Sequence, residues 1–156
     1  EFRRVLFRSI DFNKFNTDGI NVYEFSQLLY TSGLVMNDDC TFVTFHSSSD
    51  FGYLYKMLTC RPLPSELKTF LTNLSIFFPH FYDLKLMTDD IEELSCGGLQ
   101  GLANELNVLR VGPQHQAGSD ALITLKTFTA LINKFFKGNL HNEKFENKLY
   151  GLVEDL

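Results

Sequence analysis

The sequence predicts an α/β domain, and three observations carry that prediction. Segments with apolar residues at helical spacing recur along the chain, at 21–32, at 65–78 and after Asp120. Between them lie two short runs rich in β-branched and aromatic residues, TFVTF at 41–45 and FYDLK at 81–85. The composition, 44% hydrophobic and 21% charged over 156 residues, suits one domain with a packed core. Two strands are few for this many helices, because an open α/β sheet needs more of them to cover both faces. The chain is therefore expected to be the later part of a larger α/β domain, without repeats, low-complexity tracts or an interdomain linker.

Residues 1–9, EFRRVLFRS, differ in composition from the rest of the chain and are expected to be a foreign, adapter-like segment, leaving 10–156 as the domain. The next stretch, DFNKFNTDGINVYEF, looks like a calcium-binding loop, but its register excludes one. With Gly19 at loop position 6, Lys14 and Phe25 fall where the two anchoring carboxylates belong. Residues 21–32 read instead as an amphipathic helix with Val22, Phe25, Leu28 and Leu29 on its apolar side and Gly33 as its stop. After TFVTF, one of Ser47, Ser48 or Ser49 can cap a helix, which puts Asp50 in or beside a first turn, where the macrodipole attracts a carboxylate. RPLP at 61–64 breaks the chain before a helix over 65–78 that Pro79 ends. Gly97 and Gly98 open the helix LQGLANELNVL. The last helix begins near Ser119 and carries an apolar stripe of Leu122, Leu125, Phe128, Leu131, Ile132, Phe135 and Phe136.

A net charge of -5 argues against a nonspecific nucleic-acid binder, which neutralises many phosphates with Lys and Arg. It does not argue against a metal-dependent nuclease, whose carboxylates make the site acidic before cations bind. Cys40, Cys60 and Cys96 are odd in number and lack C-x2-C spacing, so neither a disulfide framework nor a zinc site is expected, and a reducing compartment fits. No apolar run approaches the roughly 18 residues that span a bilayer, and no membrane association is expected.

The candidate chemistry lies in GPQHQAGSD at 112–120, which joins a loop to the last helix. On one continuous helix His115 and Asp120 would point about 140° apart, so sharing a substrate requires His115 to sit on the loop. Gly112 and Pro113 supply the break. A surface histidine beside a helix-capping aspartate remains the plain alternative. A serine-hydrolase reading through Ser119 has neither a G-x-S-x-G elbow nor an oxyanion hole behind it.

Six segments in fixed order carry a family resemblance: LLYTSG at 28–33, TFHSSSDFGYL at 44–54, FFPHFYDLK at 77–85, GGLQGLANEL at 97–106, GPQHQAGSD at 112–120 and LYGL at 149–152. Over 10–151 the chain resembles the CCR-associated poly(A) ribonucleases, the deadenylases of the carbon catabolite repressor NOT complex. The resemblance implies a ribonuclease H-like exonuclease fold, here partial because its first strands are missing. It also implies four acidic metal ligands and a catalytic histidine. Asp50 matches the carboxylate of the second exonuclease motif, Asp120 that of the third, and His115 the general base. The remaining Asp-x-Glu pair of the family's first strand is absent from this sequence. A second departure is Ser48-Ser49, where the family often carries Gly-Tyr.

The implied activity is 3′-5′ removal of AMP from poly(A) tails with two Mg2+ or Mn2+ ions, one activating water and one stabilising the leaving 3′ oxygen. Hard divalent ions take oxygen ligands, and a histidine suits proton transfer near neutral pH. The implied partners are single-stranded poly(A), the NOT scaffold and a second deadenylase subunit, in cytoplasm and nucleus. The alternative expectation is a non-catalytic module that docks on the NOT scaffold.

Overall fold

The computed structural model describes residues 11–89, 91–94, 97–139 and 144–152. The adapter-like segment 1–9 and Cys96 lie outside the described residues. The elements run α1 (Phe12–Asp18), α2 (Val22–Thr31), β1 (Thr41–Thr44), α3 (Ser48–Thr59), α4 (Leu67–Phe77), β2 (His80–Asp83), α5 (Leu84–Asp89), α6 (Leu99–Glu105) and α7 (Ala117–Phe135).

β1 and β2 pair in parallel, with Thr41 opposite His80 and Thr44 opposite Asp83, so α3 and α4 form the crossover between them. Side chains alternate across the strands, and both faces of the sheet are covered. Phe42 and Phe81 point to one side, where Phe51, Tyr55, Phe70, Leu74 and Phe78 form the first core cluster. Ring contacts tie that cluster together, Phe51 meeting Phe78 at 5.1 Å and Phe81 at 4.9 Å between centroids. Val43 and Tyr82 point to the other side, against Met87, Leu102, Phe128 and Leu131.

The segment 144–152 closes the far side of β2 by polar stitching. Phe81 N donates to Asn147 Oδ1 at 3.1 Å, while Asn147 N and Nδ2 donate to Phe81 O and Pro79 O. His80 Nδ1 and Glu146 Oε1 meet at 2.6 Å beside them. Phe145 and Leu149 anchor the segment, one in each core cluster.

Several expectations need correction. The second strand starts at His80 and stops at Asp83, and Leu84 and Lys85 already belong to a helix. The helix opened by Gly98 ends at Glu105, so Asn107, Val108 and Leu109 lie outside it. Residues 12–18 form a short helix capped by Asp11, which accepts from Asn13 N and Lys14 N. On α2, Val22, Phe25 and Leu28 are exposed, and the buried contact with α3 is made by Ser26, whose Oγ donates to Met57 O. On α7 the buried positions are Ile123, Thr124, Thr127, Phe128, Leu131 and Ile132, while Leu122 and Leu125 are exposed. At about 100° per residue the buried positions span half the helix and Leu122 falls opposite their centre. Helical register places two threonines against the sheet and turns a leucine to water.

Candidate active site

The site starts from the carboxyl end of β1, where open α/β sheets present ligands. The chain must turn sharply there to enter α3. It does so through His46, whose φ of 56° is left-handed. Asp83, at the corresponding end of β2, holds that turn: its fully buried carboxylate accepts from His46 N at 2.7 Å and Ser47 N at 3.1 Å. Lys85 N at 3.1 Å and Tyr150 N at 3.3 Å complete its shell.

The expectation that a serine side chain caps this helix fails for a specific reason. Ser47 occupies the N-cap position, but its Oγ makes no cap bond and donates to Thr44 Oγ1 at 2.6 Å. Thr44 Oγ1 in turn donates to Tyr82 O. The turn is thus locked to the sheet, and Asp50 stands in the first turn of α3. Asp50 is exposed and makes no hydrogen bond or ion pair with the described residues.

The opposite wall comes from the start of α6, the loop before α7 and the first turns of α7. Gly112, at φ 85°, turns this loop close to Ser119, and a β-carbon there would lie 3.4 Å from that of Ser119. His115 follows on the loop, exposed and at φ 62°. The helix begins at Ala117, two residues before Ser119, and Asp120 lies in its first turn. A cleft of about 630 Å³ forms between the walls, and Asp50, His115 and Asp120 all line it. The structure brings together all three residues singled out in the sequence. The first turns of α3 and α7 both border this space through Asp50 and Asp120, and the positive end of a helix favours negative charge.

Sequence reasoning missed the cation of this cleft. Arg110 Nη1 donates to Asp120 Oδ1 at 2.5 Å and to Ser119 Oγ at 3.0 Å, and its Nε donates to Gln100 Oε1 at 2.5 Å. Its side chain is 11% exposed and that of Asp120 36%. A signal was present, since Arg110 is the sole Lys or Arg between Leu86 and Leu125. The same bond disposes of Ser119 as a nucleophile, because its Oγ accepts from a guanidinium and has no hydrogen bond to His115.

Among the described residues no three His, Cys, Asp or Glu side chains are grouped to hold a metal ion. Asp50 and Asp120 supply hard oxygen donors on facing walls of the cleft, and two such ligands fit part of a divalent-ion site.

The profile of the CAF1 family ribonucleases matches residues 24–128, two thirds of the chain. The chain belongs to the CAF1 ribonuclease family. The matched stretch contains Asp50, Asp83, Arg110, His115 and Asp120. Among relatives, the poly(A) ribonuclease pop2 of Schizosaccharomyces pombe is 44% identical over 143 residues, covering 92% of this chain and 42% of its own length. The probable CCR4-associated factor 1 homolog 7 of Arabidopsis thaliana is 48% identical over 143 residues, covering 92% and 51%. The chain therefore spans about half the length of the curated relatives it matches.

Solved structures agree on the fold. The S. pombe Pop2p structure in its Mg2+ and Mn2+ bound form superimposes with a TM-score of 0.86 at 41% identity, covering 96% of this chain and 59% of that one. A yeast CAF1 crystallised with the NOT1 MIF4G domain gives 0.79 at 34% identity, covering 91% and 58%. The α/β architecture is that of the CAF1 ribonuclease domain, a ribonuclease H-like fold present here in part, as the sequence predicts.

Proposed function

We propose that this CAF1-family chain carries half of the active site of a 3′-5′ exoribonuclease that shortens poly(A) tails and releases AMP. The observation that supports the reading best is the convergence of Asp50, His115 and Asp120 on one cleft at the carboxyl end of β1. Asp50 and Asp120 are two of the ligands for Mg2+ or Mn2+, the ions named for the S. pombe structure. A divalent ion bound there supplies positive charge to the phosphodiester. His115, on a loop and open to solvent, takes the proton from the attacking water. The α3 and α7 N-termini favour the anionic substrate, and unstacked adenines are read by shape and stacking, which needs no basic stripe.

As part of the same proposal, residues 10–156 are the later part of one domain. The protein works in the CCR–NOT complex, in cytoplasm and nucleus, beside the NOT scaffold and a second deadenylase subunit. The NOT1 complex of the yeast relative supports the scaffold partner. With two carboxylates, Asp50 and Asp120, among the described residues lining the cleft, the 156-residue chain is expected to hold ions weakly and to be nearly inert.

The test is Mn2+ titration of the labelled chain followed by NMR. Paramagnetic broadening is expected first at the amides of Asp50, His115 and Asp120, and Asp50→Asn together with Asp120→Asn should abolish it. Broadening centred elsewhere, or unaffected by the double substitution, would remove the metal site from this cleft.

A further inference from the structure

Arg110 is placed and bonded in a way that pinning Asp120 alone does not require. A guanidinium has five N–H donors in a planar fork. Three of them are occupied: Nε–H by Gln100 Oε1, and the two on Nη1 by Ser119 Oγ and Asp120 Oδ1. Nη2 has no hydrogen-bond partner among the described residues. It is not sealed off either, because the sole buried side-chain nitrogen or oxygen lacking a partner among the described residues is Thr127 Oγ1. Arg110 lines the cleft, with 11% of its side chain exposed. Two N–H donors therefore remain on a cation that is fixed by three bonds and lines the same cleft as Asp50, His115 and Asp120.

The charge pattern says what those donors suit. Arg110 is the one Lys or Arg among the described residues lining the cleft, set against two carboxylates. The first turns of α3, 12 residues long, and α7, 19 residues long, border the same space through Asp50 and Asp120, and neither helix has a side-chain cap bond. A fixed guanidinium edge in a cleft bordered by the positive ends of two helices is an anion receptor, and its fork matches the paired oxygens of a phosphate.

We infer that Arg110 is a phosphate-binding residue of this cleft: Nη2 donates to non-bridging oxygens of the terminal phosphodiester, and to the phosphate of the departing nucleotide. Nε and Nη1 meanwhile hold the guanidinium and the Asp120 carboxylate in register. The inference rests on the exoribonuclease reading for the identity of the ligand. It adds a contact that distinguishes phosphate from nucleoside, and that a purely structural arginine lacks.

The test compares AMP, adenosine and inorganic phosphate as ligands of the chain, by NMR titration of parent, Arg110→Gln and Arg110→Lys. Loss of a charge-assisted pair of bonds should weaken AMP about tenfold or more in Arg110→Gln. Lys should restore part of that loss, because it keeps the charge but not the fork. Adenosine should bind the three proteins alike, and phosphate should follow AMP. If Arg110→Gln does not fold, Arg110→Lys alone decides: AMP weakens several-fold and adenosine does not. A parent that binds none of the three ligands, or substitutions that weaken AMP and adenosine equally or leave AMP unchanged, would overturn the assignment. Phosphate binding through Arg110 in a protein that never cleaves RNA would preserve the assignment and sink the nuclease reading instead.

Discussion

Replacing Asp83 by Ala is expected to destabilise the chain by about 4 kcal/mol, the largest effect of any single change near the cleft. The reason is the number of donors that lose one acceptor. His46 N, Ser47 N, Lys85 N and Tyr150 N all end on a carboxylate with no solvent exposure. An orphaned buried amide costs roughly 1–3 kcal/mol, and water entering the vacated space recovers part of the total. The left-handed turn at His46 adds to the loss, since the bond to Asp83 is what offsets its backbone strain. A midpoint fall of about 10 °C is expected for a chain of this size. Asp83→Asn should lose about half as much, because one oxygen still accepts while the new NH2 group faces donors. Urea unfolding of the three proteins measures this, and a loss under about 1 kcal/mol in Asp83→Ala would mean that the turn before Asp50 is held by something else.

His115 and Asp120 should fail in different ways in a chimera where this chain replaces the matching 143 residues of the S. pombe relative. His115→Ala is expected to lower the single-turnover rate roughly 10²- to 10⁴-fold, the usual range for one general base, while Mn2+ affinity stays within about twofold. Asp120→Asn removes a carboxylate that Arg110 now orients, so rate and metal affinity should fall together, with partial recovery at high Mn2+. Calorimetric Mn2+ titration beside RNA shortening across pH 5 to 9 separates the two. A His115→Ala protein that loses metal as badly as Asp120→Asn does would reassign the histidine as a ligand.

The sequence showed the loop position of His115 because Gly112 and Pro113 are punctuation that a helix cannot absorb, and the structure keeps that residue outside α7. It showed the two strands and the first-turn position of Asp50 for similar local reasons, β-branched runs and a serine-rich turn. Tertiary contacts hid the rest. Asp83 sits in an apolar run and reads as a strand residue, and only the approach of the 46–47 turn and of Tyr150 makes it the anchor of the site. Arg110 pairs with Asp120 across a loop containing Gly112, so its partner is predicted by no helical or strand periodicity. Leu122 and Leu125, expected on the apolar stripe, are exposed while Thr127 is buried, because the position of the sheet, rather than residue hydrophobicity, chose the buried arc of α7.

The most direct measurement is the shortening of 5′-labelled oligo(A) by the same chimera with Mg2+ or Mn2+, beside its Asp50→Ala variant. Asp50 makes no bond to the described residues, so its loss should leave the fold intact and the comparison clean. The account predicts a ladder of products shortened from the 3′ end by the parent chimera and none above background from Asp50→Ala at equal thermal stability. A folded, ion-binding chimera that leaves the RNA intact, or an Asp50→Ala variant that shortens it at the parental rate, would contradict it.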